Sequence, residues 1–286
     1  MMRARNLIGV MQGRLLPKYQ GRYQAHPVGY WQDEFPIANK TGLSYIEFIL
    51  DFDGAVKNPL MDSKGVEEIL SLSSQTGVEI KTICADYFME APLHSASEDV
   101  VKESQKVLKT LIQNSVQLGV TDIVIPCVDQ SSLVDEVSVA RFIESIQPLV
   151  ELAESSNINL SMETDLAPEP FVKLLEKLDS PRVTVNYDTG NSASLGYDSA
   201  EELLAYGERI SDIHIKDRKY KEGSIILGEG DTKFDVFFEA MGKINYHGPF
   251  IMQAYRDDEG IEVFNKQLKW LKPKIEEYII HNQLSN

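Results

Sequence analysis

A chain of 286 residues with 43% hydrophobic and 25% charged residues has the apolar mass of a folded globular protein, which excludes a disordered one. Its 28 Lys and Arg against 44 Asp and Glu give a formal charge of −16, so a general footprint for a phosphate backbone is missing and nucleic acid is not an expected partner. MMRARNLIGVMQGRL lacks a signal-peptide core, no run approaches the roughly 20 apolar residues of a membrane helix, and two cysteines, Cys84 and Cys127, are too few for a disulfide framework or a structural zinc site; the expectation is a reduced, cytoplasmic protein with no membrane partner.

In chain order, compact β-branched runs alternate with longer amphipathic segments. The first run, LIGVM at Leu7–Met11, opens onto a long loop, MQGRLLPKYQGRYQAHP. Further strands are expected at Ser44–Leu50, Glu79–Cys84, Asp122–Cys127, Ile158–Glu163, Val183–Asp188, Asp212–Lys216 and Phe250–Gln253. A long helix is expected over Ser95–Leu118, where Val100, Val101, Val107, Leu108, Leu111 and Ile112 fit one helical face and Gly119 stops it. Others are expected near 135–154, 169–178, 199–206, 231–241 and 260–280. Eight strand–helix units with no linker between them fit one domain over residues 1–286, a closed (β/α)₈ TIM barrel, better than an open doubly wound sheet. Neither GxGxxG after a strand nor GxxxxGK[ST] occurs, so a dinucleotide or P-loop site has no support.

The seventh run, ISDIHIKD at Ile210–Asp217, sets a histidine inside a buried-looking strand and Lys216 at its end. Buried polar groups cost a few kcal/mol unless paired, so the run reads as a strand that ends at a site. In such a barrel chemistry collects at the C-terminal strand ends. Four consecutive strands end there in Glu163, Asp188, His214 and Gln253. Taken singly, His214 reads as a hydrogen-bonded strand residue, and Glu163 and Asp188 as helix caps. Together they offer oxygens and one imidazole nitrogen on one rim, a set suited to a single divalent metal ion such as Mn²⁺, Mg²⁺ or Co²⁺, with Zn²⁺ the poorer match.

The stretches IEFILD, LSMETD, NYDTGN, DIHIKDR and LGEGD, in this order between Glu47 and Gln253, resemble the xylose-isomerase-like superfamily of sugar and sugar-phosphate isomerases and epimerases. The resemblance implies a metal-dependent TIM barrel in which a Glu, an Asp, a His and a second Glu hold one cation, most often Mn²⁺. Matched motif by motif, it implies Glu163, Asp188 and His214 for the first three, with Glu163 also the catalytic base. LGEG at Leu227–Gly230 looks like the family's GEG loop. The fourth position departs: the chain reads FIMQAYR, with Gln253, whose amide oxygen can coordinate a cation but cannot accept a proton. In the epimerases of this family the second glutamate is also one of two opposed bases, and Glu47, Asp86, Asp129 and Lys216, each at or just past a strand end, are the candidates to replace it.

For substrate binding, the first loop places Gln12, Arg14, Lys18 and Arg22 at the barrel mouth, and Arg218 and Arg256 follow ligand strands. On an acidic chain such a basic cluster can hold a phosphate or carboxylate, unless the loop is simply solvated. Tyr19, Tyr23, Tyr30 and Trp31 suit stacking on a sugar ring or a subunit contact. The expected function is a metal-dependent isomerase or epimerase acting on a sugar or sugar phosphate through a metal-stabilised enediolate. The competing expectations are a cyclitol or keto-sugar dehydratase on the same scaffold and a non-catalytic sugar-binding barrel. A zinc nuclease of the superfamily would need more ligand histidines than the five present, His26, His94, His214, His247 and His281. A homo-oligomer is left open, with no interface signal in the sequence.

Overall fold

The computed structural model describes residues 7–244, 246–257 and 260–284, the last six by backbone alone. Residues 1–6, part of the stretch read against a leader, and the His281 side chain lie outside this description.

Eight parallel strands close into a barrel in the order 1-8-7-6-5-4-3-2. They are Ile8–Met11, Tyr45–Ile49, Glu79–Cys84, Asp122–Cys127, Asn159–Thr164, Val183–Asp188, Ile210–Ile215 and Phe250–Met252. Closure is made by the first strand, which pairs with the eighth through Ile8 and Phe250 and with the second through Gly9 and Tyr45. The third, fourth and sixth strands have the expected bounds. The seventh begins two residues earlier than expected because Ile210 pairs with Val185 across a register shift, and Lys216 and Gln253 lie just past the ends of their strands.

The helices Glu98–Leu118, Glu136–Ser156, Pro168–Leu178, Ser199–Tyr206, Phe234–Met241 and Ile261–Leu284 fill the expected places. The first starts three residues late because the Ser97 hydroxyl caps it at Val100 N–H. The fifth starts at Phe234 rather than 231 because the preceding backbone is drawn to Asp217 and Arg218. Helices at Glu34–Thr41, Ser63–Thr76, Tyr87–Glu90 and Thr189–Leu195 were not expected; three of them are too short to show a helical period, and two of the four, Ser63–Thr76 and Thr189–Leu195, are fixed at their start by a side-chain cap. Asp62, for instance, caps Ser63–Thr76 at Gly65 N–H.

The main core lies between barrel wall and helices and includes Phe35, Phe48, Phe142, Phe237, Phe250 and Phe264, all fully buried. Inside the barrel a separate apolar cluster is formed by Met11, Ile49, Cys84 and Ile251. Among the described residues no helix is long and apolar enough to cross a membrane. Cys84 and Cys127 are free and buried, as expected of small apolar groups.

Candidate active site

Successive strand side chains point to opposite faces, so inward groups recur every second residue. Polar groups follow this ladder: Asn186 and Asp188 on the sixth strand, Asp212, His214 and Lys216 along the seventh, Glu47 on the second, Thr82 on the third. Glu163, Asp188 and His214 bring ligand-type atoms within 4.8 Å of one another, all three side chains buried.

His214 organises this group. Its Nδ1 lies 3.7 Å from Glu163 Oε2 and 4.0 Å from Asp188 Oδ2, and Asn186 Nδ2 approaches that same nitrogen at 3.0 Å and Glu163 Oε2 at 3.1 Å. An amide nitrogen donates, so Nδ1 is the bare nitrogen, and Nε2 carries the proton it donates to Glu47 Oε1 at 2.6 Å. Glu47 is fully buried, and its other oxygen accepts the Thr82 hydroxyl at 2.5 Å. Glu47, expected from the sequence as a replacement base, is thus engaged on both oxygens beneath His214. Burial pushes its carboxyl up to about 7. Neighbouring Asp212 is pushed well above the carboxylate range by burial and by Glu47's charge.

Asp188 does two things at once. Its Oδ1 caps the helix Thr189–Leu195 by accepting the N–H groups of Gly190 and Asn191, both at 2.8 Å, while Oδ2 faces His214 and, at 3.4 Å, Lys216 Nζ. Glu163 accepts from Asn191 Nδ2 at 2.7 Å as well as from Asn186, and burial pushes its carboxyl up to about 7. Gln253 is buried; its Nε2 donates to Gln24 Oε1 at 2.8 Å, whereas its Oε1 has no hydrogen-bond partner. A bare imidazole nitrogen and two carboxylates form a cluster that fits a hard divalent cation, and the orphaned buried amide oxygen of Gln253, just past the neighbouring strand, is a donor of the same hard type.

The expected binding residues divide. Gln12 is fully buried and its Oε1 accepts Ile49 N–H at 2.9 Å, which ties the first loop to the second strand. Arg14 Nη2 donates to Gln24 Oε1 at 3.1 Å. Arg256 Nη1 donates to the Arg14 carbonyl at 2.6 Å while its guanidinium lies 4.5 Å from the Tyr23 ring centre. Tyr23 in turn donates to the Asp257 carbonyl at 2.5 Å. Arg218 reaches Asn191 Oδ1 at 2.9 Å, and Arg22 pairs with Asp51 at 3.1 Å. Asp129 is exposed, at φ +49°. Asp217 holds the LGEG turn, accepting the N–H groups of Gly228 at 2.8 Å and Gly230 at 2.9 Å. A cavity of about 610 Å³ opens beside the buried group, lined by Arg22, Gln24, Asp51, Phe52, Asp86 and Glu90 among others. Glu163, Asp188 and His214 do not line it; Gln24 joins it to Gln253.

Sequence reading missed Asn186, Asn191, Asp212, Gln24 and Glu34. Two of these had a signal, for Asn186 and Asp212 precede Asp188 and His214 by the two-residue step that keeps a side chain inward. Glu34 had none. It is fully buried in its helix and accepts the N–H groups of Gly13 at 2.8 Å and Leu15 at 3.1 Å, so the first loop is strapped down on either side of Arg14.

Burial pushes the Glu34 carboxyl from its ordinary 4.5 up to about 7, against the lowering pull of those two N–H groups and of Arg256 and Arg14. A folded-state value above the unfolded one means that the protonated form favours the fold: that stability is fully present below the unfolded value and is lost as pH rises through about 7. The gap is worth roughly 3 kcal/mol. Glu34→Gln is therefore expected to flatten the pH dependence of the unfolding free energy by roughly that amount between about pH 5 and about pH 8. Urea denaturation at the two pH values checks it, and superposable profiles for variant and wild type would contradict it.

A family model described as xylose isomerase-like TIM barrel matches residues 35–274. Among curated proteins, the putative L-ribulose-5-phosphate 3-epimerase SgbU of Haemophilus influenzae is 26% identical over 264 residues, covering 86% of this chain and 92% of that protein. The crystal structure of the 3-keto-D-glucoside 4-epimerase YcjR from E. coli, apo form, matches with a TM-score of 0.73 at 15% identity, over 94% of this chain and all of that one. A xylose isomerase-like TIM barrel protein from Mycobacterium smegmatis in complex with magnesium matches with a TM-score of 0.71 at 18% identity, over 96% and 97% of the two chains.

Proposed function

The chain belongs to the xylose isomerase-like TIM barrel family, and we propose that it is a sugar or sugar-phosphate epimerase or isomerase working with one divalent cation held by Glu163, Asp188, His214 and Gln253. The observation that carries this reading is the convergence of Glu163, Asp188 and the bare Nδ1 of His214 within 4.8 Å at the C-terminal strand ends. The epimerase activity in the curated relative's name supports the reaction class. The oxygen-rich donor set favours Mn²⁺ or Mg²⁺ over zinc.

When bound, the cation would supply the positive charge that steadies an enediolate as the C–H between a carbonyl and a hydroxyl-bearing carbon loses its proton. Glu163 takes that proton. Burial raises the proton affinity of the Glu163 carboxylate, the direction that a proton acceptor needs. Asn186 and Asn191 fix its two oxygens. Glu47 is a positioning residue: through Nε2–H it fixes the ring and tautomer of His214. Lys216, held at Asp188 Oδ2 and Asn191 Oδ1, places an ammonium beside the substrate oxygens, and Arg218 reaches the same asparagine.

A mass-spectrometric screen of ketoses and ketose phosphates in D₂O with Mn²⁺ tests the reading. Deuterium uptake at carbon without loss of mass as water is the expected result. Elimination of one water would instead indicate a dehydratase, and binding without exchange a non-catalytic barrel.

A further inference from the structure

Inverting a carbon requires that one group take its proton and that a second group return a proton from the opposite face. If Glu163 is the first, the second has to be found among the remaining inward groups. Gln253 cannot hold a proton. Glu47 is sealed under His214 with both oxygens engaged. Asp188 spends Oδ1 on a helix cap and turns Oδ2 to the cation donors. Lys216 and Glu163 are both bonded to Asn191, so they share one side of the mouth.

Asp86 meets the requirement. Cys84 and Ile251 pack in the same interior cluster; two residues further along, Asp86 and Gln253 stand just past the ends of their strands. One side chain bridges them: Gln24 accepts from Gln253 Nε2 at 2.8 Å and donates to Asp86 Oδ2 at 3.2 Å. The third strand stands opposite the seventh in the ring of eight, so Asp86 faces the wall that carries His214 and Lys216. Its carboxylate is not spent locally, for it begins the helix Tyr87–Glu90 without any side-chain cap. Its other contact is the weak Cys84 Sγ donor at 3.2 Å. It lines the cavity of about 610 Å³ and its charge is felt at Glu163.

Resting on the reading of the site under Proposed function, we infer that Asp86 is the second proton-transfer group, which makes the reaction an epimerisation. Glu163 removes the proton, the C–H electron pair passes into the enediolate, and Asp86 as carboxylic acid delivers a proton to the other face, where that pair forms the new C–H bond. Asp86 then regains a proton from water in the cavity and Glu163 gives one up, so no oxidant or co-reactant is consumed. In the reverse direction the two exchange roles.

The experiment compares wild type with Asp86→Asn, both loaded with Mn²⁺, on the ketose or ketose phosphate that wild type exchanges in D₂O. Epimer formation is expected to fall on the order of 10²- to 10⁴-fold in the variant, while deuterium exchange on the Glu163 face of recovered substrate continues. Mn²⁺ titration and melting temperature are expected to match wild type, which a merely structural role would not combine with that split. Asp86→Ser, which keeps a partner for Gln24 without a usable acid, is read the same way if Asp86→Asn does not fold. Epimer formation near the wild-type rate in both variants, or exchange and epimer formation falling together, overturns the inference. Wild type that makes an aldose and no epimer also overturns it while leaving the proposed function standing. Wild type that exchanges nothing overturns the proposed function itself.

Discussion

Replacing Asp188 with asparagine is expected to weaken Mn²⁺ binding on the order of 10²-fold or more and to abolish turnover, the larger part of that loss coming from the missing charge. The substitution is conservative in shape. The amide side chain keeps an oxygen for the N–H groups of Gly190 and Asn191, so the helix Thr189–Leu195 retains its cap. What changes is the atom aimed at His214 and Lys216: an amide N–H₂ replaces Oδ2 and opposes both a cation and the ammonium 3.4 Å away. His214→Ala removes the imidazole donor as well but leaves Glu47 and Asn186 without their partner, so it is the less clean of the two. Isothermal titration calorimetry checks the binding. Cation binding should also release protons near pH 7, because burial holds the Glu163 carboxyl up to about 7 before a cation is bound and it must ionise to coordinate; affinity therefore rises with pH through that range. Wild-type affinity in Asp188→Asn would remove the site from consideration.

The second large effect is expected at Glu163. Glu163→Gln should lower C–H exchange on the order of 10³-fold at saturating Mn²⁺, within the range that a positioned acid–base group contributes. Two donors converge on this carboxylate, Asn191 Nδ2 on Oε1 and Asn186 Nδ2 on Oε2. A glutamine satisfies one and confronts the other with its own N–H₂, so cation affinity falls too, by a lesser factor. The decisive comparison is the rate of deuterium uptake once metal is saturating: uptake at the wild-type rate would mean that another group takes the proton.

Much of this arrangement can be read along the chain because it is local. A β-branched run bounded by polar residues is visible in a window of a few residues, and Glu163, Asp188, His214 and Gln253 stand at or just past the ends of such runs. The role of Glu47 was not visible. It meets His214 across 167 positions of sequence, and that meeting exists only because the barrel closes and sets the second strand across the interior from the seventh. The same holds for Gln24 and Gln253, 229 positions apart. Glu34 sits in a short helix with little periodicity, and its burial follows from the N–H groups of a loop that strand and helix patterns do not describe. The basic character of the first loop was plain, but its order was not: Arg14 and Arg256 are fixed by a carbonyl and an amide oxygen rather than spread in water.

The seam between the first loop and the segment after the eighth strand carries a consequence for synthesis. Arg256 binds the carbonyl of Arg14 from 242 positions away, Tyr23 clasps Asp257, and Ile8 pairs with Phe250. Until the ribosome has released that late segment, the earliest strand waits with one edge unzipped and the mouth has no far wall. The buried amide of Gln253 arrives with that same late segment, so the group around His214 is completed only when the nascent chain is stitched to its own beginning.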